Sequence, residues 1–317
     1  MRLSRLTRTV YTCIAAGVLL AGCGQDSGKT SQTNARIHLN VGVLNAIDCA
    51  TAHIAKDRGY FAAEGLDVDL TTMPTGLAVL PALQSGSLDV GYGNYVSYFA
   101  AQSRGASLHI AADGYQLGPE VQPVIALAGT AIRTPRDLAG KRIAVQLTNN
   151  IQTLLINELV RNYGVDPGSL HYITVPFPQM AQALKRGDVD AVSAVEPFTT
   201  EMEGTLGAKV VADLDTGATK DTPIGGYVST ESWAKQHGKA LTAFRKAMQR
   251  AAVDAASRPA VENVLTRYNK IDAQTAALVR IGVFPTSVST DRLNRITDLM
   301  RAAGMLKKPI DLDAMAS

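Results

Sequence analysis

The chain has 317 residues, 46% of them hydrophobic and 19% charged. That length suits two domains of about 100–150 residues, and the apolar share supports sizeable cores and excludes a disordered chain. Aromatics at 5% and a formal charge of only +3 argue against a nucleic-acid binder, which needs stacking platforms or a basic footprint.

Arg2, Arg5 and Arg8 form a basic start, and residues 10–21 are an apolar run. The run is too short to span a bilayer, which takes about 20 residues. It leads into Leu20-Ala21-Gly22-Cys23. Small residues before a cysteine, directly after such a run, resemble a bacterial lipobox. The resemblance implies that residues 1–22 are a signal peptide and that Cys23 becomes the diacylated first residue. Loss of that segment removes three arginines and no acid, leaving 28 basic and 28 acidic side chains and a neutral mature chain. Cys13 leaves with the signal, so Cys49 stands alone and no disulfide framework is expected. Residues 24–35 lack an apolar run and read, with Cys23, as a flexible tether reaching roughly 20 Å.

From residue 37 onward, apolar runs alternate with helical patterns. Strands are predicted at 37–44, 68–72, 90–92 and 108–112, with helices at 50–63, 76–84 and 95–103 between them. A polar, turn-rich stretch, 114–123, separates this series from a second. The second has strands at 124–128, 142–146, 172–175, 191–195 and 209–212. Its clearest helix carries Ile151, Leu154, Leu155, Leu159 and Tyr163 on one face. One more strand is expected at 225–229, and after it only helices. Strands alternating with helices indicate parallel α/β sheets, and a helical tail with no linker before it most simply covers one of them.

One phrase occurs twice. Residues 82–90 read ALQSGSLDV and residues 183–191 read ALKRGDVDA. Each reads as a helix end, a glycine stop and an aspartate entering a strand. The offset of about 100 residues is too long for a solenoid repeat and suits two similar α/β lobes.

In parallel sheets, ligands lie beyond the carboxyl ends of the strands, where helix N-termini point at them. That rule selects Asn45 and Asp48 after the first strand, Thr75 and Gly76 after the second, and Gly93, Asn94 and Tyr95 after the third. In the second lobe it selects Gln146, Thr148, Asn149, Asn150, Glu196 and Phe198, with Tyr227 on the return crossing. Asp48 and Glu196 are acidic and none of the set is Lys or Arg, a pattern that suits a ligand with N–H donors or positive charge over a bare anion, although helix N-termini with Thr148 and the Asn149 and Asn150 amides also suit an anion. Asp48 equally suits a helix cap, Glu196 a hinge brace, and the three aromatics core positions. The five histidines have no metal-ligand spacing, and no GxSxG motif or phosphate-binding P-loop occurs. No cofactor or metal is expected.

Several stretches resemble one family in order along the chain: residues 56–68 (KDRGYFAAEGLDV), 83–94 (LQSGSLDVGYGN), 137–145 (DLAGKRIAV) and 190–198 (DAVSAVEPF). They are similar to solute-binding proteins of ABC importers for nitrate, sulfonates, taurine and thiamine precursors. The resemblance implies a two-lobed type II periplasmic-binding fold with two hinge crossings, near 121–128 and 222–227, and a helical C-terminal tail. Lobe 1 would comprise 36–124 with 225–317, and lobe 2 125–224. It further implies a non-enzymatic, monomeric, lipid-anchored receptor outside the cytoplasmic membrane, delivering a small solute to a permease with its ATPase. Alternatives are a ligand-sensing module for a membrane partner, or an enzyme like the thiamine-pyrimidine synthases; the signal peptide and the lack of their Cys-rich motif count against the latter.

Overall fold

The computed structural model describes residues 36–317. The expected signal segment, Cys23 and tether lie outside the described residues. Two five-stranded sheets organise the body. The first begins with β1 (Ile37–Val43), followed by helices α1 (Ala50–Asp57) and α2 (Tyr60–Ala63) and by β2 (Leu66–Thr72). Next come α3 (Val79–Gln84), β3 (Val90–Asn94), α4 (Tyr95–Ser103) and β4 (Leu108–Gln116).

The chain then crosses to the second sheet with β5 (Val124–Leu127). That sheet continues with β6 (Arg142–Val145), α5 (Ile151–Asn162), β7 (His171–Thr174), α6 (Phe177–Arg186), β8 (Ala191–Ser193), α7 (Phe198–Leu206) and β9 (Ala208–Ala212). β10 (Pro223–Thr230) returns to the first sheet. The remainder is helical: α8 (Glu231–Gln236), α9 (Gly238–Ala255), α10 (Arg258–Val264), α11 (Ala273–Leu278), α12 (Thr290–Ala302) and α13 (Leu312–Ala316).

Both sheets share one plan. The orders are β2-β1-β3-β10-β4 and β7-β6-β8-β5-β9. In each, one strand runs antiparallel to both neighbours, and it is the strand that has just crossed over: β10 in the first sheet, β5 in the second. The crossings are therefore anchored next to the centre of each sheet.

The twice-written phrase has the same structural job in both copies. Gly86 and Gly187 take φ of 74° and 73°, the left-handed conformation that ends a helix without a Cβ clash. The aspartate that follows accepts a backbone N–H from the neighbouring parallel strand. Asn40 N donates to Asp89 Oδ2 at 2.7 Å, and Arg142 N donates to Asp190 Oδ2 at 2.8 Å.

Period-2 alternation divides the second sheet between two layers. Ile143 and Val145 share a core with Leu154, Leu155 and Leu159 of α5, whereas Ala144 and Val192 pack with Met180, Leu184 and Met202 of α6 and α7. The helical tail covers the first sheet, as expected. Leu241, Phe244, Met248, Ala251 and Ala255 of α9 are buried, and α9 packs on α1, α2 and β4.

Two elements differ from the expected pattern. The predicted 50–63 helix is broken at Gly59, which takes φ of 68° and starts a new turn. β4 runs on to Gln116, through residues that read as a turn. Gly114 allows this: a Cβ there would meet Gly225 O at 2.8 Å and the Tyr92 ring at 2.6 Å.

Candidate ligand cleft

The carboxyl ends of the parallel strands of both sheets converge on one cavity of about 40 Å³. Asp48, Gly76, Tyr92 and Asn94 line it from the first sheet, Gln146, Gln152, Phe177 and Val195 from the second, and Gln122 and Ile224 from the crossings. Bonds between the two halves close over it. Asn150 Nδ2 donates to Ser97 Oγ at 3.0 Å, and Ile47 N donates to Glu196 O at 3.4 Å.

Asp48 sits in a short 3-10 turn, Ile47–Cys49, just beyond β1. It is 6% exposed. Tyr92 OH donates to its Oδ2 at 2.9 Å, while Oδ1 has no partner among the described residues. Burial raises its pKa to about 6, against the pull of the Tyr92 hydrogen bond. Among the described residues the cavity wall holds no lysine or arginine, so Asp48 sets its charge.

Gln122, between β4 and β5, is 1% exposed, and neither Nε2 nor Oε1 finds a partner among the described residues. Gln152 is committed: its Oε1 accepts from Gln146 N at 2.7 Å and its Nε2 donates to Ser193 O at 2.6 Å. That pair fixes the turn that presents the Gln146 side chain to the cavity.

Of the residues selected from the sequence, Asp48, Gly76, Asn94 and Gln146 meet at the cavity wall. Asn94 also caps α4, its Oδ1 accepting from Ser97 N at 2.9 Å. Thr75 caps the turn before α3, accepting from Ala78 N at 3.3 Å. Gly93 is buried, and a Cβ there would meet Tyr98 OH at 2.6 Å. Asn150 is buried as the cap of α5, accepting from Ile151 N at 2.6 Å. Thr148, Asn149 and Asn45 are exposed, Asn45 being hydrogen-bonded by Asn269 Nδ2 at 3.1 Å.

The aromatic rings lie elsewhere. Tyr95 is fully buried and donates to Asp113 Oδ1 at 2.8 Å. Tyr227 stands in the core between Tyr92 and Phe244. Phe198 stacks on Phe177 at 5.7 Å, and it is Phe177 that lines the cavity.

Glu196 follows β8 and is fully buried. Its Oε2 accepts from Thr200 N at 3.1 Å; its Oε1 accepts from Thr200 Oγ1 at 2.9 Å and from Arg280 N at 3.2 Å. Burial pushes its carboxyl above the usual range, and these bonds together with the Arg280 charge pull it back. Glu196 thus braces α7 against the tail, facing Thr200 and Arg280. The Arg280 guanidinium also bonds Glu203 of α7 at 2.5 and 3.0 Å and Glu120 of the first crossing at 3.1 Å.

Sequence reading missed Gln122, Tyr92, Gln152, Phe177 and Arg280. Gln122 had a signal: it is the polar residue between Val121 and Pro123 in the stretch expected to cross between lobes. Arg280 had none, because it meets its carboxylates only through the tertiary fold.

A family model described as NMT1/THI5 like matches residues 47–262. The chain belongs to this family. Among relatives of this NMT1/THI5-like chain is the taurine-binding periplasmic protein of Escherichia coli, 26% identical over 227 residues, covering 71% of this chain and 68% of that protein. The nitrate import ATP-binding protein NrtC of Synechocystis is 22% identical over 234 residues, 67% of this chain and 34% of that protein. A 4-amino-5-hydroxymethyl-2-methylpyrimidine phosphate synthase of Schizosaccharomyces pombe is 25% identical over 143 residues, 45% of this chain and 40% of the enzyme. The chain thus spans well under two thirds of the last two. In structure it is similar to the ligand-binding component of an ABC-type import system from Staphylococcus aureus, with a TM-score of 0.76 at 18% identity, over 89% of this chain and 97% of that one. That likeness establishes the fold: two α/β lobes of the periplasmic-binding type with a helical C-terminal region.

Proposed function

We propose that this chain is a solute-binding receptor of an ABC importer. It would be anchored outside the cytoplasmic membrane through lipidated Cys23, capture a small nitrogen- or sulfur-containing organic solute by lobe closure, and deliver it to a permease with its ATPase. The carrying observation is the cavity at the junction of the lobes, walled by both sheets and both crossings, with buried polar atoms of Asp48 and Gln122 left without protein partners among the described residues. A site shared by two lobes makes their closure depend on what lies between them. The taurine-binding relative, matched over most of both chains, supports the same reading.

We read the cleft as a binding site and not a catalytic one. Cys49 follows Asp48 in the chain, but its thiol is pushed far up by burial and its Sγ accepts from Leu44 N at 3.2 Å. The test is a thermal-shift and calorimetric screen of the soluble chain from about Asn34 against taurine, alkanesulfonates, nitrate, primary amines and aminopyrimidines. A saturable stabilisation by at least one class is expected; no shift with any class refutes the receptor reading.

A further inference from the structure

Asp48 and Gln122 both line the cavity, and three of their buried polar atoms, Asp48 Oδ1 and both amide atoms of Gln122, have no protein partner among the described residues. Leaving such groups unmet costs about 1–3 kcal/mol each, so a sequence that places three at one cavity carries a stability cost there. Two other amides of the region are spent on the fold. Gln152 uses both ends of its side chain, and Asn150 uses its oxygen on α5 and its nitrogen across the lobes. Gln122 does neither, and it stands on the crossing itself.

We propose that Gln122 and Asp48 form a recognition subsite for a nitrogen group bearing two or more N–H donors. This rests on reading the cleft as a solute site. Asp48 Oδ1 and Gln122 Oε1 each accept one N–H, and Gln122 Nε2 donates to an acceptor further along the solute. A volume of about 40 Å³ holds roughly three water-sized groups, the scale of an ammonium or amidine head. Phe177, Ile151 and Gln146 wall the same volume, so the rest of a larger solute is accommodated as the lobes part on the second-sheet side. With Asp48 on the first lobe and Gln122 on the crossing, one head group ties the lobe to the hinge. Gln122 is then a specificity-determining residue.

The test uses the full chain and its Gln122→Leu, Gln122→Glu and Asp48→Asn variants in calorimetry with four probes. Taurine and ethanesulfonate share a sulfonate but only taurine carries an ammonium; n-propylamine carries the ammonium alone; 4-aminopyrimidine offers uncharged N–H donors beside an acceptor. Taurine is expected to bind at least tenfold tighter than ethanesulfonate, and Gln122→Leu to weaken the N–H probes about three- to tenfold. Gln122→Leu alone is expected to melt no lower than wild type, because the amide it removes has no protein partner among the described residues; a purely structural residue would lose stability on removal. Gln122→Glu is expected to tighten n-propylamine and not 4-aminopyrimidine if the head is an ammonium; a preference of wild type for 4-aminopyrimidine marks an uncharged amino-heteroaryl head. Ethanesulfonate matching taurine, or Gln122→Leu melting lower with unchanged affinities, overturns the subsite and leaves the receptor reading standing. No binding of these probes or of any class in the wider screen overturns both.

Discussion

Replacing Arg280 with methionine tests whether the tail holds the lobes together. Arg280 lies in a segment stitched to the first sheet: Gly282 N donates to Tyr115 OH at 2.6 Å, and Val283 bridges to Gln116. Its guanidinium reaches α7 beside the second sheet. The pair with Glu203 is about a quarter exposed on each side, so it contributes about 0.5–1 kcal/mol. Glu196 is fully buried and 3.7 Å from Nη1. At an effective dielectric of about 20, that separation corresponds to a gross attraction of about 4 kcal/mol, from which the desolvation of the arginine must be subtracted. Glu196 keeps its three hydrogen bonds in the variant, since the one from residue 280 comes from the backbone. The net loss is therefore about 2 kcal/mol, or about 4 °C in melting temperature at this size. Because the lost bonds join the lobes, the closed population falls too. Small-angle scattering should show a larger radius of gyration, and high salt should move wild type toward the variant. An Arg280→Met chain with unchanged melting temperature and radius would refute the latch.

Other perturbations probe the same architecture. Glu196→Ala, a ligand-contact test on sequence grounds, should instead cost about 1–3 kcal/mol through the lost support of α7, with solute affinity falling less than stability; urea melts and calorimetry separate the two. Asp48 has a pKa raised to about 6, so its folded-state contribution is full below about pH 4 and is lost as pH rises through 6, a difference of up to about 3 kcal/mol relative to Asp48→Asn. The groups facing it, Tyr92, Tyr115, Tyr227 and Cys49, are all pushed upward by burial and stay neutral over that range. Taurine affinity should move oppositely, strengthening from pH 5 to 7 in wild type and staying flat in Asp48→Asn. Cys23→Ser should release the chain from membranes and abolish labelling by a fatty-acid probe; retention in the membrane fraction refutes lipidation there.

Much of the fold was legible because it is local. Apolar periodicity marks α5 and α9, and the glycine stops and strand aspartates of the repeated phrase act through neighbouring backbone. The cleft was half legible. Position after a strand identified Asp48, Gly76, Asn94 and Gln146, since strand ends converge by topology. Position alone does not say which way a side chain turns. Tyr95 and Glu196 follow strands too, yet Asp113 draws the first into the core and Thr200 with Arg280 draw the second away from the cavity. Gln122 was visible as an amide between Val121 and Pro123, but its meaning depends on side-chain atoms that have no partner among the described residues.

The strand orders also dictate how the molecule is assembled as it is made. Strands β5 to β9 are consecutive in the chain and complete the second sheet by Ala212. The first sheet must wait, because β10 fits between β3 and β4, which precede it by over a hundred residues. Until Thr230 leaves the ribosome, β3 and β4 present unpaired edges in the middle of an unfinished sheet. The second lobe is thus the natural first foldon, and the last strand to join the first sheet is the one that fixes the hinge.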